Sequence, residues 1–118
     1  MTTVERIALA QAYVALSNAH RSDLIRPLFA ANAVYRSSAV GEFRGVDAIV
    51  DMMSGFFARY PDVSWHCSQY QCEGSRVRFN FRLSALATPD GAALRRSGVE
   101  YIDFDRDGMI NSLEVQAG

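Results

Sequence analysis

From Val77 to Ala85 the chain alternates without a slip: Val77, Phe79, Phe81, Leu83 and Ala85 are apolar, with Arg78, Asn80, Arg82 and Ser84 between them. A strict period of two fits a strand with one face buried and the other wet, and such a strand needs neighbours. They lie close by. Thr88-Pro89-Asp90-Gly91 is a turn, in which Pro presets φ and Gly accepts positive φ. Leu94 to Phe104 and Met109 to Gln116 read as two further strands joined by Asp105-Arg106-Asp107-Gly108, and period two already begins near Val63.

The first half of the chain is helical in pattern. Thr2 with Glu5 three residues on has the form of a capping box, opening a helix to about Ser17. Its apolar residues form two stripes, Val4, Ile7 and Val14 on one and Leu9, Tyr13 and Leu16 on the other, which predicts packing on several sides. Ser22 or Asp23 caps a short helix through Phe29, a strand runs from Val34 to Ser37, and Gly41 to Gly45 is turn-rich. Asp47 to Tyr60 carries Ile49, Met52, Met53, Phe56 and Phe57 at helical spacing, and Pro61 stops that helix. Helices followed by four long strands predict an α+β fold: a cone-shaped, curved antiparallel sheet wrapped around N-terminal helices. Such a cone leaves a concavity at one end, where a ligand fits.

At 118 residues the whole chain, 1–118, is expected to be one domain that needs no disulfide or metal. Net charge is −1 and the pI about 6.1, so no general positive field invites nucleic acid or an anionic membrane. The uncharged stretch Ile7 to Ala19 is too short to span a bilayer, the N-terminus lacks a signal-peptide layout, and a cytoplasmic address follows by default. All twelve basic residues are arginine, and with no lysine, Schiff-base and lysine-anchored pyridoxal phosphate chemistry is excluded. Cys67 and Cys72 on one strand would stand about 16 Å apart at about 3.3 Å per residue, too far to bridge.

Several strings resemble the nuclear transport factor 2-like (SnoaL-like, ketosteroid isomerase-like) superfamily. They are Gln11-Ala-Tyr-Val-Ala-Leu-Ser-Asn-Ala19, Leu28-Phe-Ala-Ala-Asn-Ala-Val34, Phe43-Arg-Gly45 and the closing Phe104 to Ile110 hairpin. The resemblance implies the cystatin-like α+β roll and a pocket for a small, largely apolar molecule. It also implies a homodimer through the outer sheet face, where Arg78, Asn80, Arg82 and Tyr101 form an outward row. In ketosteroid isomerase terms the oxyanion-donating tyrosine falls on Tyr13, the protonated aspartic acid on Glu100, and the aspartate base on Ser37 or Ser38. A serine alone cannot be that base, so steroid isomerisation is not expected. The fold hosts unrelated chemistries and pure binders.

Glu100 shares parity with Leu94, Gly98, Ile102 and Phe104, so it is the candidate proton-transfer group, its pKa raised by apolar surroundings. Its other readings are an ion pair with Arg96 on the same face, or a place in water at the cone mouth. Tyr13, the candidate oxyanion donor, needs a partner for its hydroxyl: Glu100, a backbone carbonyl or a ligand. Arg96 either meets an anionic or carbonyl ligand or snorkels to the rim. Ser37, Met53, Phe56, Trp65, Phe79, Phe81 and Leu113 complete the expected lining, the same residues equally suiting a core. His66 lies opposite Trp65 only if its strand is regular, and His20 in its polar connection reads as solvated.

Asp103 to Glu114 fits the EF-hand calcium loop at every liganding position, with Gly108 at six and Glu114 at twelve. An EF-hand needs helices on both sides, and this segment is flanked by alternation, so a hairpin is the stronger reading and no metal site is assigned. No cofactor is implied. Two functions compete: an isomerase, cyclase, dehydratase or epoxide hydrolase working through Glu100 and Tyr13, and a non-catalytic ligand-binding or dimerisation module. Calcium binding by the Asp103–Glu114 loop is a distant third.

Overall fold

The computed structural model describes all residues, 1–118. Helix α1 (Thr3–Asn18) is followed by α2 (Ser22–Ile25), which runs into a 3-10 turn (Arg26–Leu28). Then come β1 (Phe29–Ser37), β2 (Gly41–Arg44), α3 (Val46–Arg59), β3 (Ser64–Glu73), β4 (Arg76–Ala85), β5 (Leu94–Phe104) and β6 (Ile110–Ala117). The six strands form one curved open sheet in the order β2-β1-β6-β5-β4-β3. The α+β cone is as expected. The sheet is mixed, however, because β1 runs parallel to β6 while the other pairs are antiparallel.

The local chemistry explains most boundaries. Thr2 and Glu5 form the reciprocal capping box, the Thr2 hydroxyl accepting from the Glu5 amide at 3.1 Å and the Glu5 carboxylate from the Thr2 amide at 3.3 Å. His20 adopts φ 56° and closes α1 in the left-handed region. Its ring stacks on Phe57 at 4.6 Å and its Nε2 lies 2.7 Å from the Val63 carbonyl, so it is a packed residue rather than a solvated one. Asn18 bridges to both the amide and the carbonyl of Trp65, tying the end of α1 to the start of β3.

Two stretches differ from their sequence reading. Phe29 belongs to β1, not to the second helix, and β1 begins five residues before the expected Val34, because Pro27 in the 3-10 turn carries the chain out of helical geometry. Gly41 to Arg44 is a strand rather than a turn, its residues paired with Val34 to Ser37. In β3 the regular register holds from Ser64 to Ser68 and shifts before Gln71, with Gln69 at φ 58°. This bulge turns both Cys67 and Cys72 toward the core, as free thiols, and leaves His66 on the exposed face.

One cluster of 20 buried residues forms the core. Its narrow end is solid, with Val77, Ile102, Phe104, Ile110 and Leu113 nearly or fully buried. At the other end Gly98 permits β5 and β6 to close up: a Cβ there would lie 1.9 Å from the Gln116 carbonyl oxygen and 2.9 Å from the Ala117 Cα. Backbone atoms cannot step aside as a flexible side chain does. Gly98→Ala should therefore lower unfolding free energy by about 2 kcal/mol or more, read as a shift in denaturant midpoint at unchanged m-value. An unshifted midpoint would contradict this close approach.

Candidate active site

Antiparallel register settles which side chains turn inward. Glu100 is flanked across the ladders by Phe79 and Val115, and Arg96 by Leu83, so β5 presents Arg96, Gly98, Glu100 and Ile102 to the concave side. In parallel register, Ser37 lies beside Val115 and Tyr35 beside Leu113, which puts these β1 residues on that side too. The roof comes from α1 through Tyr13, Val14 and Ser17, and from α3 through Met52, Met53, Phe56 and Phe57. Phe56 and Phe57 both pack on Trp65, at ring separations of 6.1 and 6.2 Å.

Between roof and sheet lies a mostly apolar cavity with about 50 Å³ open to the centre of a water molecule. That is room for a few waters as the side chains stand. Glu100 is only 4% exposed, and its carboxyl faces this cavity. No hydrogen bond or neighbouring cation offsets its burial, and burial alone pushes its pKa up to about 8. The carboxyl is therefore mostly protonated at neutral pH.

Tyr13 and Tyr35 face the same space. Burial, then Tyr35 and Glu100, hold the Tyr13 phenol well above the usual range, while Ser17 beside it donates its own hydroxyl to the Tyr13 carbonyl at 2.9 Å. Burial and then Glu100 raise Tyr35, with Arg96 acting in the opposite sense. The Cys67 thiol is pushed up to about 12 by burial and then by Glu100, so it stays protonated. Three neutral donors, Glu100, Tyr13 and Tyr35, thus converge on an apolar hollow. This set suits an oxygen acceptor such as a carbonyl or epoxide, and Glu100 titrates close enough to neutrality to transfer a proton.

Arg96 is half-buried at the mouth, its guanidinium 5.9 Å from the centre of the Phe56 ring. It forms no ion pair with Glu100. Met53, Phe56, Trp65, Phe81 and Ser37 stand at the cavity wall. Phe79 and Leu113 do not: both are fully buried core residues. The β3 bulge brings Tyr70 over Phe79, stacked at 4.8 Å, and Leu113 sits in the solid narrow end beside Ile102. Tyr35 escaped the sequence reading, although it lies two residues before Ser37 and so on the same strand face.

Ser37 and Ser38, the residues on which the resemblance puts the base position, are both engaged with the backbone. Ser37 Oγ accepts from the amides of Ala39 and Val40 at 3.2 Å, and Ser38 Oγ from the Ala117 amide at 2.9 Å. The Asp103–Glu114 segment is a β-hairpin. Asp103 makes two bonds to Arg76, and Asp105 Oδ1 accepts from the amides of Asp107 and Met109. No group of three or more His, Cys, Asp or Glu side chains is gathered to hold a metal.

A family model described as SnoaL-like domain matches residues 10–113. No curated protein sequence matches the chain. Among solved structures, the epoxide hydrolase/cyclase-like enzyme SalBIII of pyran ring formation in the polyether salinomycin is similar at TM-score 0.85 and 17% identity, over 97% of this chain and 91% of that one. A cystatin-fold protein from Novosphingobium aromaticivorans gives 0.79 and 18%, over 92% and 95%. A ketosteroid isomerase-like protein from Catenulispora acidiphila, in complex with trimethylamine, gives 0.80 and 17%, over 90% and 82%. At these identities the likeness is one of fold.

Because the folded pKa of Glu100 lies near 8 and an unfolded glutamate titrates near 4.3, the native state holds the extra proton between those values. Stability should fall as pH rises from 5 to 8, by up to about 1.4 kcal/mol per unit, and level off above. Glu100→Gln should remove that slope and be the more stable protein at pH 8. Thermal melts of both proteins across this range measure it, and parallel curves would contradict it.

Proposed function

This chain belongs to the SnoaL-like domain family, and from that premise we propose that its cone binds a small, largely apolar molecule carrying a carbonyl or epoxide oxygen and transfers a proton to it. Glu100 is the general acid and Tyr13 the donor that steadies developing charge on the oxygen, with Tyr35 beside it. The observation that carries the reading is the protonated carboxyl facing an apolar hollow without a counter-charge. No cofactor is required. Steroid isomerisation is not proposed, since Ser37 and Ser38 stand at the base position and both hydroxyls are committed to backbone amides.

That commitment also favours a second reading, a non-catalytic binding module in which Glu100 and the phenols only anchor the ligand oxygen. In either case the outer face is where a second copy would pair. There Arg78 lies opposite Tyr101 and Asn80 opposite Val99, a polar and partly aromatic strip. Light scattering at micromolar concentration should then give twice the chain mass, and a monomer mass would count against pairing.

Small apolar epoxides and ketones, 1-methylcyclohexene oxide and 2-methylcyclohexanone, test the two readings. In hydrolysis of the epoxide, water adds to carbon as the C–O bond breaks, Glu100 protonates the departing oxygen, and the added water's proton returns to the Glu100 carboxylate. That reaction should be accelerated by the protein, fall as pH rises through 8, and drop at least a hundredfold in Glu100→Gln with the fold retained. An unchanged rate in Glu100→Gln removes that residue from the mechanism. Saturable binding of both compounds without turnover replaces the enzyme with the binder.

A further inference from the structure

One polar side chain at the cavity wall stands outside the donor set. Ser17 lies one turn after Tyr13 on α1, so both belong to the helix face that roofs the hollow. It is 6% exposed. A hydroxyl has one hydrogen to give and two lone pairs to receive with. Ser17 gives its hydrogen to the Tyr13 carbonyl at 2.9 Å, inside the helix. What it keeps for the cavity is an oxygen that accepts.

Every other polar side chain of the wall has a hydrogen to give. Glu100 holds its proton at neutral pH, the phenols of Tyr13 and Tyr35 hold theirs, and Arg96 only donates. Ser37 is the reverse of Ser17: its oxygen receives the amides of Ala39 and Val40 at 3.2 Å, which leaves its hydrogen free. The wall is therefore a set of donors with one fixed acceptor. That acceptor sits beside Tyr13, close enough for Ser17 to work against the effect of burial on the phenol. A plain ketone or epoxide answers the donors but lays carbon against the Ser17 oxygen. Burying that oxygen without a donor weakens the complex.

We propose that the ligand carries a hydroxyl on the carbon next to its carbonyl or epoxide, as in an α-hydroxy ketone, and that Ser17 is the residue that selects it. This rests on the cavity being a ligand site. The carbonyl or epoxide oxygen accepts from Glu100 and Tyr13, and the neighbouring hydroxyl donates to Ser17 Oγ. The two ligand oxygens are neighbours because Tyr13 and Ser17 are. Two oxygens on adjacent carbons also make a compact molecule, which suits the small free space between roof and sheet.

The test titrates the whole chain with 2-hydroxycyclohexanone and 2-methylcyclohexanone, which differ by a hydroxyl in place of a methyl of similar size. Residue-resolved NMR follows Tyr13 and Glu100. The hydroxy ketone should bind at least as tightly as the methyl ketone, although water solvates it better. Ser17→Ala should weaken the hydroxy ketone by about fivefold or more and leave the methyl ketone within about twofold. Ser17→Cys fills the same space with a weak acceptor and should show the same loss. Alanine is the better helix former, and circular dichroism checks that both variants fold. A hydroxy ketone bound far more weakly than the methyl ketone by the unaltered chain overturns the selection. So does a Ser17→Ala protein that holds both ketones as before, or that loses both equally; each of these leaves the cavity reading standing. Two ketones that both leave Tyr13 and Glu100 unmoved overturn the cavity reading itself, and this inference with it.

Discussion

A carboxyl group buried without a partner sets the terms for this protein. Glu100 sits between Phe79 and Val115, and nothing in the chain donates to it or neutralises it. Ionised there, it would cost several kilocalories per mole, so it keeps its proton at neutral pH. The effect spreads to its neighbours. Tyr13, Tyr35 and Cys67 are each held in their neutral forms by burial first, and Glu100 acts in the same direction once it ionises at higher pH. The result is a hollow rich in hydrogen-bond donors and poor in charge, with Arg96 placed at its mouth.

The fold supplies that hollow by asymmetric packing. At the narrow end, large apolar side chains from β4, β5 and β6 meet and fill the space. At the wide end β5 carries Gly98 and Glu100 where bulk would close it, and the roof is made of methionine and aromatic side chains from α3. Met52 and Met53 have several rotatable bonds and repack readily, so a cavity that stands nearly closed can admit a larger body.

Much of this was legible in the sequence, because alternation on a strand is a direct record of which face is buried. Parity on β5 placed Glu100 and Arg96 inward, and Thr2 with Glu5 marked the start of α1. What escaped was non-local. The parallel pairing of β1 with β6 joins residues far apart in the chain, such as Val34 with Ser112, and no local period encodes it. Gly41 to Arg44 is a strand only because β1 is there to pair with it, and its flanking glycines read as turn. Phe79 has the parity of a lining residue, yet a bulge in a neighbouring strand drops Tyr70 over it. His20 carries no sequence sign of its stack on Phe57, which depends on how α1 meets α3.

The catalytic and the binding proposals both draw on the same protonated acid, so its titration is the most direct measurement. Carbon-13 NMR of side-chain-labelled glutamate, with the Glu100 resonance assigned through Glu100→Gln, reads that titration in the folded protein. The account predicts a midpoint near pH 8, well separated from the other glutamates. A Glu100 carboxyl titrating between pH 4 and 5 like an exposed residue would contradict it.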